Sequence, residues 1–245
     1  MKKKMFVLCV AIVTLMFAAG CQTAQIALPN GNVKKDFQKI EAKGANAFAF
    51  LSGKFTLGQS AVEWTRGAMS SSGGGSVTLL GMKATEDTVK KQDFRIKTSG
   101  ADIDSLSGKF HAEAVMNIDT DKKSKTVTVT SKEIKKNTLK GTITSQDYTY
   151  EMELQQSDKL EKIMKGSIKG KAFSFTIEST RRLEGAAFET YDIVGYYIFD
   201  NSTLIAAVES VNGGTLYVAN GIGKDKLSVI MNVAAALIKY QDPSK

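Results

Sequence analysis

From Ala47 onward the chain is written in short alternating or wholly apolar runs, each bounded by Gly, Ser, Asn or Asp. Successive side chains of a strand leave on opposite faces, so this pattern predicts a series of short strands, and the close spacing of the turn residues argues for antiparallel pairing. An apolar-x-Gly-x-apolar pattern recurs at Leu51-Ser-Gly-Lys-Phe55, Leu106-Ser-Gly-Lys-Phe110, Leu139-Lys-Gly-Thr-Ile143 and Met164-Lys-Gly-Ser-Ile168. The intervals of 55, 33 and 25 residues exclude a fixed-period solenoid. A glycine inside a strand permits a bulge or a strong bend, and a sheet needs such places to curl.

The last two copies extend into a longer match, 139–153 with 164–178, that reads as strand, turn, strand in each half. Tyr148, Tyr150 and Met152 share one face, as do Phe173, Phe175 and Ile177, and these faces are expected to meet the core. Glu151, Glu153 and Thr176 then face water. Residues 193–199, 203–208 and 215–219 read as three more strands joined by Asp200-Asn201-Ser202 and Asn212-Gly213-Gly214. Tyr196 to Phe199 carry bulk on both faces, which predicts a strand covered on both sides. The period then changes: Leu227, Ile230, Met231, Ala234, Leu237 and Ile238 follow helical spacing, with Asp225 the expected N-cap and Lys239 near the far end. The fold expected is mainly β, a curved or partly closed antiparallel sheet, with a C-terminal amphipathic helix over 225–240 packed on it. Residues 34–45 are expected to begin a helix, and the Ser-Ser-Ser-Gly-Gly-Gly-Ser tract at 70–76 a flexible loop.

Composition limits the chemistry. With one His and two Cys in 245 residues, His-rich metal sites, zinc ribbons and disulfide scaffolds are excluded, and a histidine-dependent triad would have to use His111. His111 is expected to be a surface or strand-edge residue. No Gly-x-Ser-x-Gly, Ser-x-x-Lys, His-Glu-x-x-His or Walker A sequence occurs. Asn117, Asp119 and Asp121 alternate like the start of a calcium loop, but Lys122 stands where the glycine belongs and Thr128 where the bidentate Glu belongs, so a solvated turn is expected. Asp102 with Asp104, and Glu151 with Glu153, are the carboxylate pairs available to a hydrolase, and each pair shares one strand face. No catalytic residue, metal or cofactor is assigned, and the chain reads as a non-enzyme.

The N-terminus has an address. Lys2, Lys3 and Lys4 precede an uncharged apolar run that ends at Phe17-Ala18-Ala19-Gly20-Cys21. This resembles the lipobox of bacterial lipoprotein precursors. The resemblance implies cleavage between Gly20 and Cys21, thioether attachment of a diacylglycerol to Cys21, and acylation of the new amino terminus. The apolar run is shorter than the ~20 residues a membrane-crossing helix needs. On this reading 1–20 is a signal peptide, 21–33 a lipidated tether and 34–245 a single domain. The mature chain keeps 225 residues, a net charge of +5 and no cysteine besides Cys21. The expected location is the bacterial cell envelope, and Gln22 in place of Asp favours the outer membrane facing the periplasm if the source is Gram-negative.

Positive charge is concentrated over 121–182, which carries 14 Lys+Arg against 8 Asp+Glu. Lys122, Lys123, Lys125, Lys132, Lys135, Lys136 and Lys140 form the densest part, with Lys122, Lys123, Lys125, Lys135 and Lys136 the candidates for meeting anionic lipid or polysaccharide. Lysines on exposed strands also discourage edge-to-edge pairing, and nucleic acid is not an expected partner. The functional expectation is an anchored lipoprotein with a binding or structural role. The alternatives are a lipid or lipoprotein carrier with an apolar cavity between sheet and helix, and a carboxylate-based hydrolase.

Overall fold

The computed structural model describes residues 25–29, 34–45, 51–78, 83–122, 128–156 and 163–244. A 3-10 turn at Lys34–Asp36 leads into β1 (Phe37–Lys43), where a helix was expected. There follow β2 (Ser52–Leu57), β3 (Ser60–Arg66), β4 (Ser70–Thr78), β5 (Lys83–Gly100), β6 (Ile103–Lys122), β7 (Thr128–Thr144), β8 (Thr149–Gln156), β9 (Met164–Gly170), β10 (Ser174–Thr180), β11 (Gly195–Asp200), β12 (Thr203–Glu209), β13 (Thr215–Ala219) and a single helix, α1 (Lys224–Lys239). Their order in the sheet is β3-β2-β1-β13-β12-β11-β10-β9-β8-β7-β6-β5-β4, with antiparallel neighbours throughout. A further antiparallel pairing of β3 with β5, from Ala61 opposite Ser99 to Arg66 opposite Phe94, closes twelve strands into a barrel.

The wall follows from the period of two. Along β3 and β8 buried and exposed residues alternate, with Val62, Trp64, Tyr150, Met152 and Leu154 turned inward and Glu63, Thr65, Glu151 and Glu153 outward. Two of the recurrent mid-strand glycines make room for a side chain. A Cβ on Gly108 or Gly141 would lie 2.4 or 2.3 Å from the Phe110 ring, so both positions are vacated for one aromatic side chain. The register shifts fall elsewhere, at Thr98/Gly100, Val115/Met116 and Ile198/Phe199.

Eight strands leave an interior that side chains alone can fill, whereas twelve enclose a wider lumen. Here α1 fills it, an α-helix with side chains being ~10–12 Å across. Ser228 to Leu237 are buried without interruption, so every face of the helix is covered. Between Lys226 and Lys239 the helix has no charged residue, and a helix apolar all round belongs in an interior. The expected stripe resting on a sheet is thus a helix ringed by one. Inside, the amide nitrogen of Asn232 donates to Thr98 Oγ1 at 3.1 Å, and Ser228 Oγ accepts from the amide of Asp104 at 2.8 Å. The N-cap is Gly223 without a side-chain cap, and Asp225 lies in the first turn instead of capping it.

Three of the wall strands outgrow the barrel. β3 occupies the edge of β5 only up to Phe94, the Gly67 amide donates to Asp93 O at 2.8 Å, and from Lys91 to Lys83 the same edge belongs to β4. The Ser/Gly tract expected to be a flexible loop is therefore a strand, because the long edge of β5 offers it a ladder that side-chain preference alone does not request. Gly73 permits the approach: a Cβ there would lie 2.5 Å from Glu86 Oε1. β4, β5, β6 and β7 continue past the rim as a four-stranded wing. Asn117 and Asp119 sit within β6 and not in a turn, Asn117 Nδ2 donating to Asp87 and Thr85 Oγ1 to Asp119.

Candidate functional site: the long-loop rim

The two ends of the barrel differ. At one end, β2–β3, β5–β6, β7–β8, β9–β10 and β11–β12 are joined by connections of two to four residues. At the other end lie the longer connections 44–51 and 181–194, the root of the wing, the C-terminus of α1 and the entry of the N-terminal segment. Loops on a rigid scaffold are where binding surfaces are usually built, so this rim is the candidate site.

The N-terminal segment is not a free tether over its described part. Ile26 is fully buried and bridges Leu183. Its amide donates to Glu209 Oε2 at 3.2 Å, the Ala27 amide donates to Arg182 O at 3.1 Å, and the Glu184 amide donates to Gln25 O at 2.8 Å. The Tyr197 hydroxyl donates to Ala27 O. Ile26 packs on the outside of the wall with Phe37, Tyr197, Leu204, Ala207 and Tyr217, and Leu28 and Phe199 join them. This patch is why β11 is apolar on both faces: Tyr196 and Ile198 face the lumen, while Tyr197 and Phe199 face the segment. Burial, reinforced by the Glu209 carboxylate, pushes the Tyr217 phenol up to about 12.

The 181–194 connection is folded on itself. Glu189 accepts from Arg181 Nη2 at 2.7 Å and Arg182 Nε at 3.2 Å, which holds its carboxyl below the usual range, and the Thr190 amide donates to Arg181 O at 2.9 Å. Its tip shows Phe188 and Tyr191 to solvent, 87% and 74% exposed.

Across the rim, Arg66 Nη2 donates to Lys239 O and Lys239 Nζ to Ala45 O, so two cations meet carbonyls at the C-terminal end of the helix. The Lys239 ammonium lies 4.5 Å from the Trp64 ring centroid and the Arg66 guanidinium 5.2 Å from it. Burial depresses the pKa of both cations, and the Arg66 charge depresses Lys239 further. Tyr240 OH donates to Asn137 Oδ1 at 3.1 Å and Asn137 Nδ2 to Asp242 Oδ1 at 3.0 Å, tying the C-terminal tail to the root of the wing.

The residues singled out in the sequence are only partly brought together. Gly20, Cys21, Lys123 and Lys125 lie outside the described residues; Lys122 ends β6, and its side chain is likewise outside them. Lys135 pairs with Asp87 at 3.0 Å, Lys136 with Glu113 at 2.7 Å and Lys140 with Glu153 at 2.9 Å. The described side chains of the basic cluster are therefore charge-matched, Lys136 and Lys140 with neighbouring strands and Lys135 across β6 with β5. Glu113, which also pairs with Lys91 at 3.2 Å, is held below the usual carboxylate range by Lys136 and Lys91.

His111 is a wall residue, its Nδ1 2.7 Å from Asp93 Oδ1, in a shallow outer groove shared with Arg95, Lys109, Lys140 and Glu151. Glu151 accepts from Thr142 Oγ1 at 3.1 Å. Asp104 pairs with Lys224 at 3.0 Å and Asp102 lies in the adjoining turn, and neither lines the groove that holds Glu151. Elsewhere on the wall Lys54 meets Glu63 and Lys165 meets Glu178 across neighbouring strands. Such a surface suits water, since a Lys or Arg turned into mid-bilayer lipid costs ~2–4 kcal/mol. Among the described residues no helix is long and apolar enough to cross a membrane, and no His, Cys, Asp and Glu grouping could hold a metal ion.

The latch built from Ile26, Glu209 and Tyr197 was missed by sequence reasoning. Its one signal was the double-faced β11, which demanded a cover without saying which segment supplied it. Compared with protein-family models, curated proteins and solved structures, the chain matches none.

Proposed function

We propose that the protein is a bacterial envelope lipoprotein, held by acyl chains on Cys21, whose helix-filled barrel serves a non-enzymatic binding or structural role. The observation that carries this is the N-terminal succession of three lysines, an apolar run and Ala18-Ala19-Gly20-Cys21. One acyl chain binds a bilayer only marginally and reversibly, while a second makes the attachment stable. In a Gram-negative source Gln22 directs the protein to the outer membrane, facing the periplasm.

A closed barrel is an architecture suited to binding or carrying. Carriage inside it needs open space between sheet and helix, and ten consecutive helix residues without exposure occupy that space. The rim and its loops are therefore the favoured contact surface. An anionic lipid or polysaccharide partner would meet the basic cluster of Lys122, Lys123, Lys125, Lys135 and Lys136, of which Lys135 and Lys136 already have carboxylate partners. A hydrolase is disfavoured because the groove that holds Glu151 is lined by neither Asp102 nor Asp104.

The test is metabolic labelling with a clickable fatty acid in a bacterium that matures lipoproteins. The intact chain takes up label and sediments with membranes, and Cys21→Ala loses both. Labelling that persists in Cys21→Ala defeats the assignment.

A further inference from the structure

The chain leaves the barrel at a specific place. Ile26 is seated against Gly195, the first residue of β11, and Glu209, the last of β12, so Gln25 emerges at the long-loop rim. Four residues further toward the N-terminus is Cys21, and four residues span at most ~14 Å. A lipid on Cys21 therefore lies at the end of the barrel from which this rim and the wing project, and not at the tight-turn end.

The same rim concentrates the exposed apolar side chains. Of the five large hydrophobic residues exposed among those described, Phe188, Tyr191, Leu51 and Met69 stand at this end, and only Tyr148 belongs to a tight turn. Phe188 and Tyr191 ride on the loop whose base, Arg182 to Glu184, is hydrogen-bonded to residues 25–27. Charges beside them are paired, Glu189 with both Arg181 and Arg182 and Glu184 with Lys34, which lowers the cost of bringing the tip to headgroups. A tyrosine, apolar in its ring and polar at its hydroxyl, settles at the membrane–water interface, and a phenylalanine beside it adds apolar area to bury there.

We propose that residues 181–194 form a second membrane contact, in which Phe188 and Tyr191 enter the headgroup region beside the acylated N-terminus and fix the barrel with its long-loop rim toward the bilayer. The inference rests on acylation of Cys21 and adds an orientation to it.

The mature chain has no thiol other than the acylated one, since Cys9 lies in the removed segment, so an introduced cysteine is a unique labelling site. Ala187→Cys, next to Phe188, and Asp102→Cys, in the tight β5–β6 turn, are each spin-labelled on full-length matured protein in phosphatidylethanolamine–phosphatidylglycerol vesicles. Collision with a water-soluble relaxation agent is compared before and after vesicle attachment, and acylation is checked by the mass of the N-terminal peptide.

The expected result is that the label at 187 loses most of its aqueous collisions on attachment, the label at 102 loses none, and Phe188→Ser with Tyr191→Ser restores the collisions at 187. Both side chains are largely exposed, so these substitutions leave the fold intact. Acylated, vesicle-bound protein whose label at 187 stays as accessible as that at 102 overturns the second contact and leaves anchoring standing. Protection at 187 that survives both substitutions removes the two aromatics from the contact and overturns it as stated. An unacylated Cys21 overturns the anchor and the contact together.

Discussion

The backbone amide of Ile26 donates to the carboxylate of Glu209, 183 residues later in the chain, and both residues are buried. That bond joins the N-terminal segment to the end of β12, making the segment part of the barrel's outer wall. A buried carboxylate is costly unless its lone pairs are used, so the contact stabilises segment and strand together.

Glu209→Ala should remove this acceptor and leave the Ile26 amide without a partner. The expected loss is about 1.5–3 kcal/mol, the range for a hydrogen bond to a charged group. Denaturant unfolding of the chain from residue 22 measures it, and limited proteolysis should show faster cleavage within residues 25–29. Unchanged protection there would mean that Leu28 and the Tyr197 hydroxyl suffice without Glu209.

The lumen should tolerate little change in the volume of α1. Ala234, Ala235 and Ala236 are fully buried in succession, so Ala235→Leu is expected to cost about 1–3 kcal/mol through overpacking. Leu237→Ala should cost about 2–5 kcal/mol through the cavity it leaves. Thermal unfolding followed by far-ultraviolet circular dichroism tests both. A neutral Ala235→Leu would show that the interior has spare room, which is what a carrier requires.

Alkaline pH should weaken the fold through its buried phenols. Burial raises the phenols of Tyr196, Tyr217 and Tyr240, Tyr217 to about 12. A phenol raised in the folded state keeps its proton while the unfolded chain releases one, so its contribution to stability is complete below about pH 10 and declines as pH rises through the folded value. Denaturant midpoints measured on either side of pH 10 should fall with increasing pH. Phenolate absorbance of these three should appear together with unfolding; phenolate formation that runs ahead of unfolding would contradict their burial.

The lysines of the wing should divide into two classes. Lys135 and Lys136 are matched by Asp87 and Glu113, so changing both to Gln is expected to leave binding to anionic vesicles within about twofold of the unsubstituted protein, as surface pairs contribute little net attraction. Changing Lys122, Lys123 and Lys125 to Gln should reduce binding, with a weaker dependence on salt. Vesicle flotation across a salt series distinguishes the two. An equal fall in both variants would show that the wing acts as one basic surface.

Much of this architecture is local and was readable. The alternation of Tyr150 and Met152 against Glu151 and Glu153 specifies which face is inside, because a strand's side chains alternate whatever its neighbours do, whereas Tyr148, expected on the same inward face, precedes β8 in the tight turn and is 47% exposed. Asn201 and Ser202 take positive φ of 47° and 72° in the tight turn where turn residues were expected. Phe37 and Ile40 misled, since a spacing of three fits a helix while β13 offered β1 a ladder. Gly73 and its serine neighbours misled for the opposite reason: a tract with almost no side-chain preference takes whatever conformation the adjacent edge imposes.

By itself, then, the sequence determined strand character, the inward and outward faces and the helix, all of which depend on neighbours within a few residues. Tertiary structure alone decided that β3 meets β5 to close twelve strands, that α1 is enclosed instead of laid on a sheet, and that Ile26 is stapled to Glu209 at the rim. Those outcomes depend on how many strands share the ring and on the width it encloses, quantities that belong to the assembled barrel and to no segment of it.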